Sequence, residues 1–292
     1  VSPILLDGKA TAAALRAELT AAVTGLTVRG VIPGLAAVLV GDDPASAIYV
    51  RSKAKACEQV GIYSEVIRLP AQTAESELLE LVSVLNRRPD IHGILVQSPV
   101  PAGMDEFKVN LAVSPAKDVD GFHPDNVGKV LLGRPGFVPC TPAGVLELLR
   151  RYNIETRGAE VVIAGRGNIV GKPLAALLIQ KAAGADATVT VCHSRTRDLA
   201  AHCRRADILV AAMGQPELIR GDWVKEGAVV VDVGINRIND SSEKGYRIAG
   251  DVHFESVAPK CRAITPVPGG VGPMTIAMLL RNTVEAAKRT LV

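Results

Sequence analysis

The chain has 292 residues, enough for two domains of ordinary size, and is 48% hydrophobic and 22% charged, the balance of a packed globule. A net charge of +3, with lysines and arginines dispersed and only 3% aromatics, argues against a nucleic-acid surface. Five cysteines, odd in number and without a C-x-x-C pair, argue against a disulfide framework or a zinc site and for scattered reduced thiols in a cytosolic protein.

The opening "VSPILLDGKA" has no charged region followed by an apolar one, so it does not read as a signal peptide. No apolar run reaches membrane-spanning length. Strands are expected at 35–40, 64–69 and 91–97, and helices at 43–60 and 73–87. This alternation is the pattern of a parallel sheet. Asp42, Asp43 or Ser46 would open the helix over 43–60, and Gly61 would close it. Within that helix, "YVRSK" sets Tyr49 four residues before Lys53, on one helical face. The pair is either a surface contact or the start of a proton-transfer site.

Gln97 falls at the C-terminal end of a buried parallel strand, the edge at which open α/β sheets bind ligands. By itself it reads more simply as a side chain satisfying loop backbone. The stretch 98–140, rich in Pro, Gly and Asp, reads mostly as loop. Its "PAKDVDGFHPDN" carries Asp118, Asp120, His123 and Asp125, in a spacing that matches no standard metal motif. Asp120, just before Gly121, suits either a turn or a carboxylate gripping the amidine-like edge of a heterocycle.

A domain boundary is expected near 140, where Thr141 suits an N-cap and Pro142 a first turn. A second α/β series follows: "AEVVIAG", a helix from about 170, "ATVTVC", a helix near 197–204, "DILVAA" and "AVVVDVG". Gly165, Gly167 and Gly171 stand directly between a strand and a helix. There the backbone can turn sharply and present free N–H groups to a pyrophosphate. The next strand ends in His193-Ser194-Arg195 rather than in an acidic residue, and Arg166 lies in the glycine loop. Two guanidiniums and a hydroxyl suit a 2′-phosphate, hence NADP. "TPVPGGVGPMT" is a stiff loop before a closing helix opened by Pro273. Trp223 reads as a packing residue, and Cys140, His92, His202 and His253 as structural.

Taken in order, "PASAIYVRSKAKACEQVGI", "GILVQSPVP", "KDVDGFHPDNVGK", "PCTPAGVLELL", "GRGNIVGKPLA", "GDWVKEGAVVVDVGINR", "GDVHF" and "PVPGGVGPMT" are similar to the signatures of one family. The chain resembles bifunctional methylenetetrahydrofolate dehydrogenase–methenyltetrahydrofolate cyclohydrolases nearly end to end. The resemblance implies Lys53 as the central catalytic residue, with Tyr49 and Gln97 beside it. It implies Asp120, Tyr49, Pro268, Gly269 and Gly270 at the folate. For the nicotinamide cofactor it implies Thr141, Gly165, Arg166, Gly167, Asn168, Ile169, Val170, Gly171, His193, Ser194, Arg195, Gly234 and Ile235, with no metal. It also implies an α/β fold of two domains: a folate-binding catalytic domain of 1–140 plus 273–292, and a Rossmann-type NADP-binding domain of 141–272. The active site would lie in the cleft between them, with the C-terminal helix returning to the first. The expected enzyme is a cytoplasmic homodimer acting on one-carbon derivatives of tetrahydrofolate. Two departures stand out: many relatives carry Ser at Gly167, and Leu at Ser98 and Val100. Rivals are another two-domain NADP dehydrogenase of the shikimate dehydrogenase type, which should lack the Lys53, Gln97 and Asp120 set, and a non-enzymatic dinucleotide sensor.

The chemistry suits that set. Oxidising 5,10-methylenetetrahydrofolate transfers a hydride and needs placement rather than a metal. Hydrating the methenyl cation and opening its ring needs a group that accepts and returns a proton. An ordinary lysine, with a pKa of about 10.4, is a poor base at neutral pH; burial and a neighbouring cation lower it.

Overall fold

The computed structural model describes residues 2–241 and 245–291. Ile4–Leu5 forms a short strand, β1, and Gly8–Val28 a long helix, α1. An alternating run follows: β2 (Gly34–Val40), α2 (Pro44–Val60), β3 (Tyr63–Leu69), α3 (Glu75–Arg87) and β4 (Gly93–Val96). The stretch expected to be mostly loop holds two short helices, α4 (Glu106–Ala112) and α5 (Pro124–Leu131). Asp105 opens the first by accepting from the N–H groups of Phe107 and Lys108, and His123 opens the second through the N–H of Asp125.

The second run is α6 (Cys140–Arg151), β5 (Glu160–Ala164), α7 (Gly171–Leu178), β6 (Thr188–Cys192), α8 (Leu199–Arg205), β7 (Ile208–Ala211) and β8 (Ala228–Asp232). An antiparallel pair, β9 (Asn236–Asn239) and β10 (Tyr246–Ala249), precedes the short helix α9 (Phe254–Val257) and β11 (Cys261–Ile264). The long helix α10 (Val271–Lys288) starts two residues before the expected Pro273.

These elements form two compact units. One takes Ala13–Cys140 together with the chain from Ile276 onward, so most of the closing helix joins the first α/β unit as expected. Its sheet is parallel, in the order β3-β2-β4. All seven residues of β2 are buried, because a central parallel strand is covered on both faces. Leu78, Val82 and Leu85 of α3 and Val109 of α4 pack on Ala36, Val38, Ile94 and Val96. Helix α2 begins where the sequence indicated. The Asp43 carboxylate accepts from the N–H of Ser46 at 2.7 Å, and Gly61, at φ 82°, ends the helix.

The other unit takes the residues through Ala12 together with Thr141–Thr275. Its parallel sheet runs β1-β11-β8-β7-β5-β6. The sequence boundaries assign 1–12 to the first domain, whereas β1 pairs with β11 and so belongs to this sheet. One layer of its core gathers Val162, Ala164, Leu209, Ala211, Val230 and Ile264 with Cys192, Cys203 and Ile219. All five cysteines are buried and unpaired.

Candidate functional site

In the first unit, α2 buries Ser46, Val50, Lys53, Cys57 and Val60, a stripe at helical spacing. A lysine in such a stripe needs a partner. Lys53, 8% exposed, donates from Nζ to Gln97 Oε1 at 3.0 Å. Gln97 directly follows β4, and its backbone N–H still donates to the carbonyl of Val38 at the sheet edge. The Gln97 amide donates to the carbonyl of Ser98 at 2.7 Å, which fixes its oxygen towards the lysine. Ser98, the departure beside it, donates from its hydroxyl to Glu106. Tyr49, one turn before Lys53, is 44% exposed. Lys55 is exposed on another face.

Asp118 and Asp120 take different roles. Asp118 is buried, and its carboxylate accepts from the backbone N–H groups of Gly121, Phe122 and His123 and from the Asn126 amide. It builds the loop. Burial pushes its carboxyl up, against the pull of those donors. Asp120 is half-buried beside the buried Cys140 thiol. Burial raises that thiol well above the ordinary range, the Asp120 charge raises it further, and the Lys53 charge opposes both. Lys53 and Asp120 thus act on one buried sulfur. Among the described residues no group of three or more His, Cys, Asp or Glu side chains gathers as a metal set.

In the second unit, Gly165 has φ 136°, and a Cβ on it would lie 2.1 Å from the carbonyl oxygen of Ala212. A Cβ on Gly171 would come as close to the Gly165 carbonyl. Gly167 has no atom within 4 Å of its Cβ position, so the serine of many relatives would fit there. A pocket of about 680 Å³ opens at this turn. Gly165, Arg166, Gly167, His193 and Ser194 line it, with Met213, Gln215 and Trp223. Among the described residues no carboxylate lines it, and the N-terminus of α7, which no side chain caps, follows the turn. These features fit a phosphorylated dinucleotide. Asn168 accepts from Lys172 Nζ, and Ile169 is exposed.

A smaller pocket in the same unit brings Gly234 and Ile235 together with Pro268, Gly269 and Gly270, beside Asp232 and Lys9. Burial pushes the Asp232 carboxyl up to about 7, against backbone N–H donors that lower it; the Asp251 charge adds to the rise.

Several expected residues stand apart. Thr141 is the second residue of α6 rather than its cap; its hydroxyl pairs with that of Thr275 at 3.0 Å, and it lines neither pocket. Arg195 is exposed next to the larger pocket without lining it; its N–H donates to His193 Nδ1. Met213, Gln215 and Trp223 are among the lining positions that escape sequence reasoning. Met213 and Gln215 belong to an ordinary-looking loop after β7. Trp223, expected to pack, does so against the core and also walls the pocket. Lys9 of the smaller pocket, in the opening "VSPILLDGKA", is another, and no chemistry in the sequence singles it out.

Known proteins match along the whole chain. The catalytic domain of tetrahydrofolate dehydrogenase/cyclohydrolase matches residues 6–120, and the NAD(P)-binding domain of the same family matches 139–291. The bifunctional protein FolD of Desulfovibrio desulfuricans is 60% identical over 97% of this chain and 98% of its own. The FolD enzyme of Campylobacter jejuni, 50% identical, superposes with a TM-score of 0.94 over 99% of this chain and all of its own. The Trypanosoma brucei enzyme, solved with NADP cofactor and inhibitor, is 42% identical; it gives the same TM-score over 100% of this chain and 99% of its own. A shikimate dehydrogenase in complex with NADP+ aligns with a TM-score of 0.50 at 11% identity, a likeness of fold alone.

Proposed function

The chain belongs to the tetrahydrofolate dehydrogenase/cyclohydrolase family, and from that membership we propose how its own residues carry the family's two reactions. The enzyme interconverts 5,10-methylenetetrahydrofolate and 5,10-methenyltetrahydrofolate by NADP-dependent hydride transfer, and hydrolyses the methenyl form to 10-formyltetrahydrofolate. A bound NADP supplies the hydride acceptor. Gly165 to Gly171 cradle its phosphates, with Arg166, His193, Ser194 and Arg195 at the 2′-phosphate; Gly234 and Ile235 extend the contact.

Binding of the folate rests on Asp120, whose carboxylate pairs with the N–H edge of the pterin, aided by Tyr49 and by Pro268 to Gly270. Lys53 then moves the proton. As water adds to the methenyl carbon, the Lys53 amine takes one of its protons. When the ring C–N bond breaks, the ammonium returns a proton to the departing nitrogen, and the proton left on the added oxygen goes to solvent as the formyl C=O forms. Gln97 holds the nitrogen in place. The observation that carries this reading is a lysine amine buried in an apolar stripe and fixed at 3.0 Å by a strand-end amide oxygen.

The family resemblance also supports a homodimeric, cytoplasmic enzyme whose product feeds purine synthesis. It supports a folate-binding unit and a dinucleotide-binding unit as separate functional halves. One assay tests the activity: methylenetetrahydrofolate and NADP+ should give NADPH and methenyl absorbance, followed by methenyl decay faster than its spontaneous hydrolysis. NADP+ binding without turnover would indicate a sensor. Turnover of shikimate instead of folate would indicate the other dehydrogenase type.

A further inference from the structure

The loop after β7 and the residues after β10 meet at one carboxylate. Asp251 is fully buried. Its Oδ2 accepts from the backbone N–H groups of Met213 and Gly214 at 2.5 and 2.9 Å. Its Oδ1 accepts from the N–H of Gln215 at 3.0 Å and from the Asn236 amide at 2.9 Å. Three consecutive backbone donors and one side-chain amide occupy the acceptor sites of both oxygens. A Cβ on Gly234 would lie 2.3 Å from Asp251 Oδ1, so the loop between β8 and β9 closes on the carboxylate. Asp232 accepts from the N–H groups of Gly234, Asp251 and Val252, and so fixes the backbone from which Asp251 projects.

Burying a carboxylate is unfavourable, and the exposed Gly214 and Gln215 had water available for their N–H groups. The fold therefore spends a buried charge on the shape of a three-residue turn. That turn supplies a wall of the larger pocket: Met213 and Gln215 line it with Arg166 and His193. It also follows the C-terminal end of β7, next to β5, the sheet edge at which such folds hold dinucleotides.

We infer that Asp251 is a positioning residue for the nicotinamide cofactor, holding the Met213–Gln215 wall in its bound shape before the cofactor arrives. The inference rests on the reading that this pocket takes the cofactor. A preset wall lowers the entropy lost on binding, so its effect falls on affinity. Hydration and ring opening use no cofactor, so they should not depend on Asp251. An asparagine cannot replace the carboxylate, because its NH2 would face a backbone donor.

The test compares Asp251→Asn and Arg166→Ala with the wild type in NADP+ titrations, and measures cyclohydrolase kcat/KM without cofactor. Asp251→Asn should raise the NADP+ Kd about tenfold or more, the loss of a charge-assisted hydrogen bond, and leave cyclohydrolase kcat/KM within about twofold. Arg166→Ala should also raise the Kd, which ties the pocket to the cofactor. If Arg166→Ala weakens NADP+ and Asp251→Asn does not, the positioning role is wrong and the pocket reading stands. If neither variant weakens NADP+, the pocket reading falls and takes the inference with it. Equal loss of both activities in Asp251→Asn, with a lowered Tm, would make Asp251 a stability residue only. Should that variant not fold, amide hydrogen exchange on the wild type decides. The N–H groups of Met213, Gly214 and Gln215 should exchange slowly without cofactor; exchange at free-loop rates would overturn the inference.

Discussion

Replacing Lys53 with methionine keeps most of the side chain's length and apolar stem while removing the amine. Two effects then compete for what is observed. The fold loses one hydrogen bond, and Gln97 Oε1 loses its donor at 3.0 Å. Such a loss costs about 1–3 kcal/mol, partly offset because a polar nitrogen no longer has to be buried in the α2 stripe. The chemistry loses its proton carrier, worth about 10²–10⁴-fold in rate or roughly 3–5 kcal/mol of barrier. The second effect dominates, so Lys53→Met should fold with a modest change in Tm and lose cyclohydrolase activity. Dehydrogenase activity should partly survive, because hydride transfer needs no base in its central step. Tyr49→Phe should be milder, since the exposed ring loses one hydroxyl. Lys55→Met, exposed on another face, is the internal control and should change little. The assay is methenyl decay, corrected for uncatalysed hydrolysis, beside NADPH formation. Methenyl hydrolysis by Lys53→Met at the wild-type rate would refute the mechanism and leave the lysine a structural role.

Three further outcomes are expected. Replacing Arg166 and Arg195 together should raise the KM for NADP+ far more than that for NAD+; equal effects on both would remove the 2′-phosphate assignment. Asp120→Ala should weaken folate in both reactions, by about 1.5–3 kcal/mol for a desolvated charge-assisted contact, and leave NADP+ binding nearly unchanged; an intact folate affinity would contradict it. Between the ordinary carboxylate value of 3.8 and its folded value of about 7, Asp232 holds a proton that the unfolded chain has released. Stability therefore falls as pH rises through that window, and Asp232→Asn should flatten the fall in denaturant titrations; identical slopes for both proteins would show that Asp232 ionises normally.

What was legible in the sequence was local. Asp43 and Gly61 mark the ends of α2 because capping depends on side chains within a turn of the helix end. The strand–glycine–helix order around Gly165 is likewise local, and the pocket opens there. Helices α4 and α5 were hidden because seven or eight residues are too few to establish a period among prolines and glycines. Asp105 and His123 were the available cap signals. Thr141 misled because its hydroxyl serves a partner 134 residues away, Thr275, instead of its own helix end. The two loop aspartates, Asp118 and Asp120, look alike in sequence. Only the backbone donors that converge on Asp118 separate the loop's organiser from Asp120, the carboxylate proposed for the folate. The Met213–Gln215 wall was out of reach for the same reason as Thr275: its anchor is Asp251, 36 to 38 residues away.

The discontinuity of both units bears on how the chain folds as it is made. Ala13–Cys140 emerges from the ribosome without Met278, Leu279, Leu280 and Val284, core residues of the segment that joins it from Ile276 onward. At about 5–20 residues per second, residues 141–275 take roughly 7–27 s to synthesise. Small domains fold in microseconds to seconds, so translation rather than the folding step sets the wait. Throughout that interval the apolar surface meant for α10 has no partner from its own chain, and a nascent-chain chaperone has time to occupy it. The same discontinuity makes residues 1–140 alone a poor expression fragment: they would carry β1 without β11 and the first sheet without its closing helix.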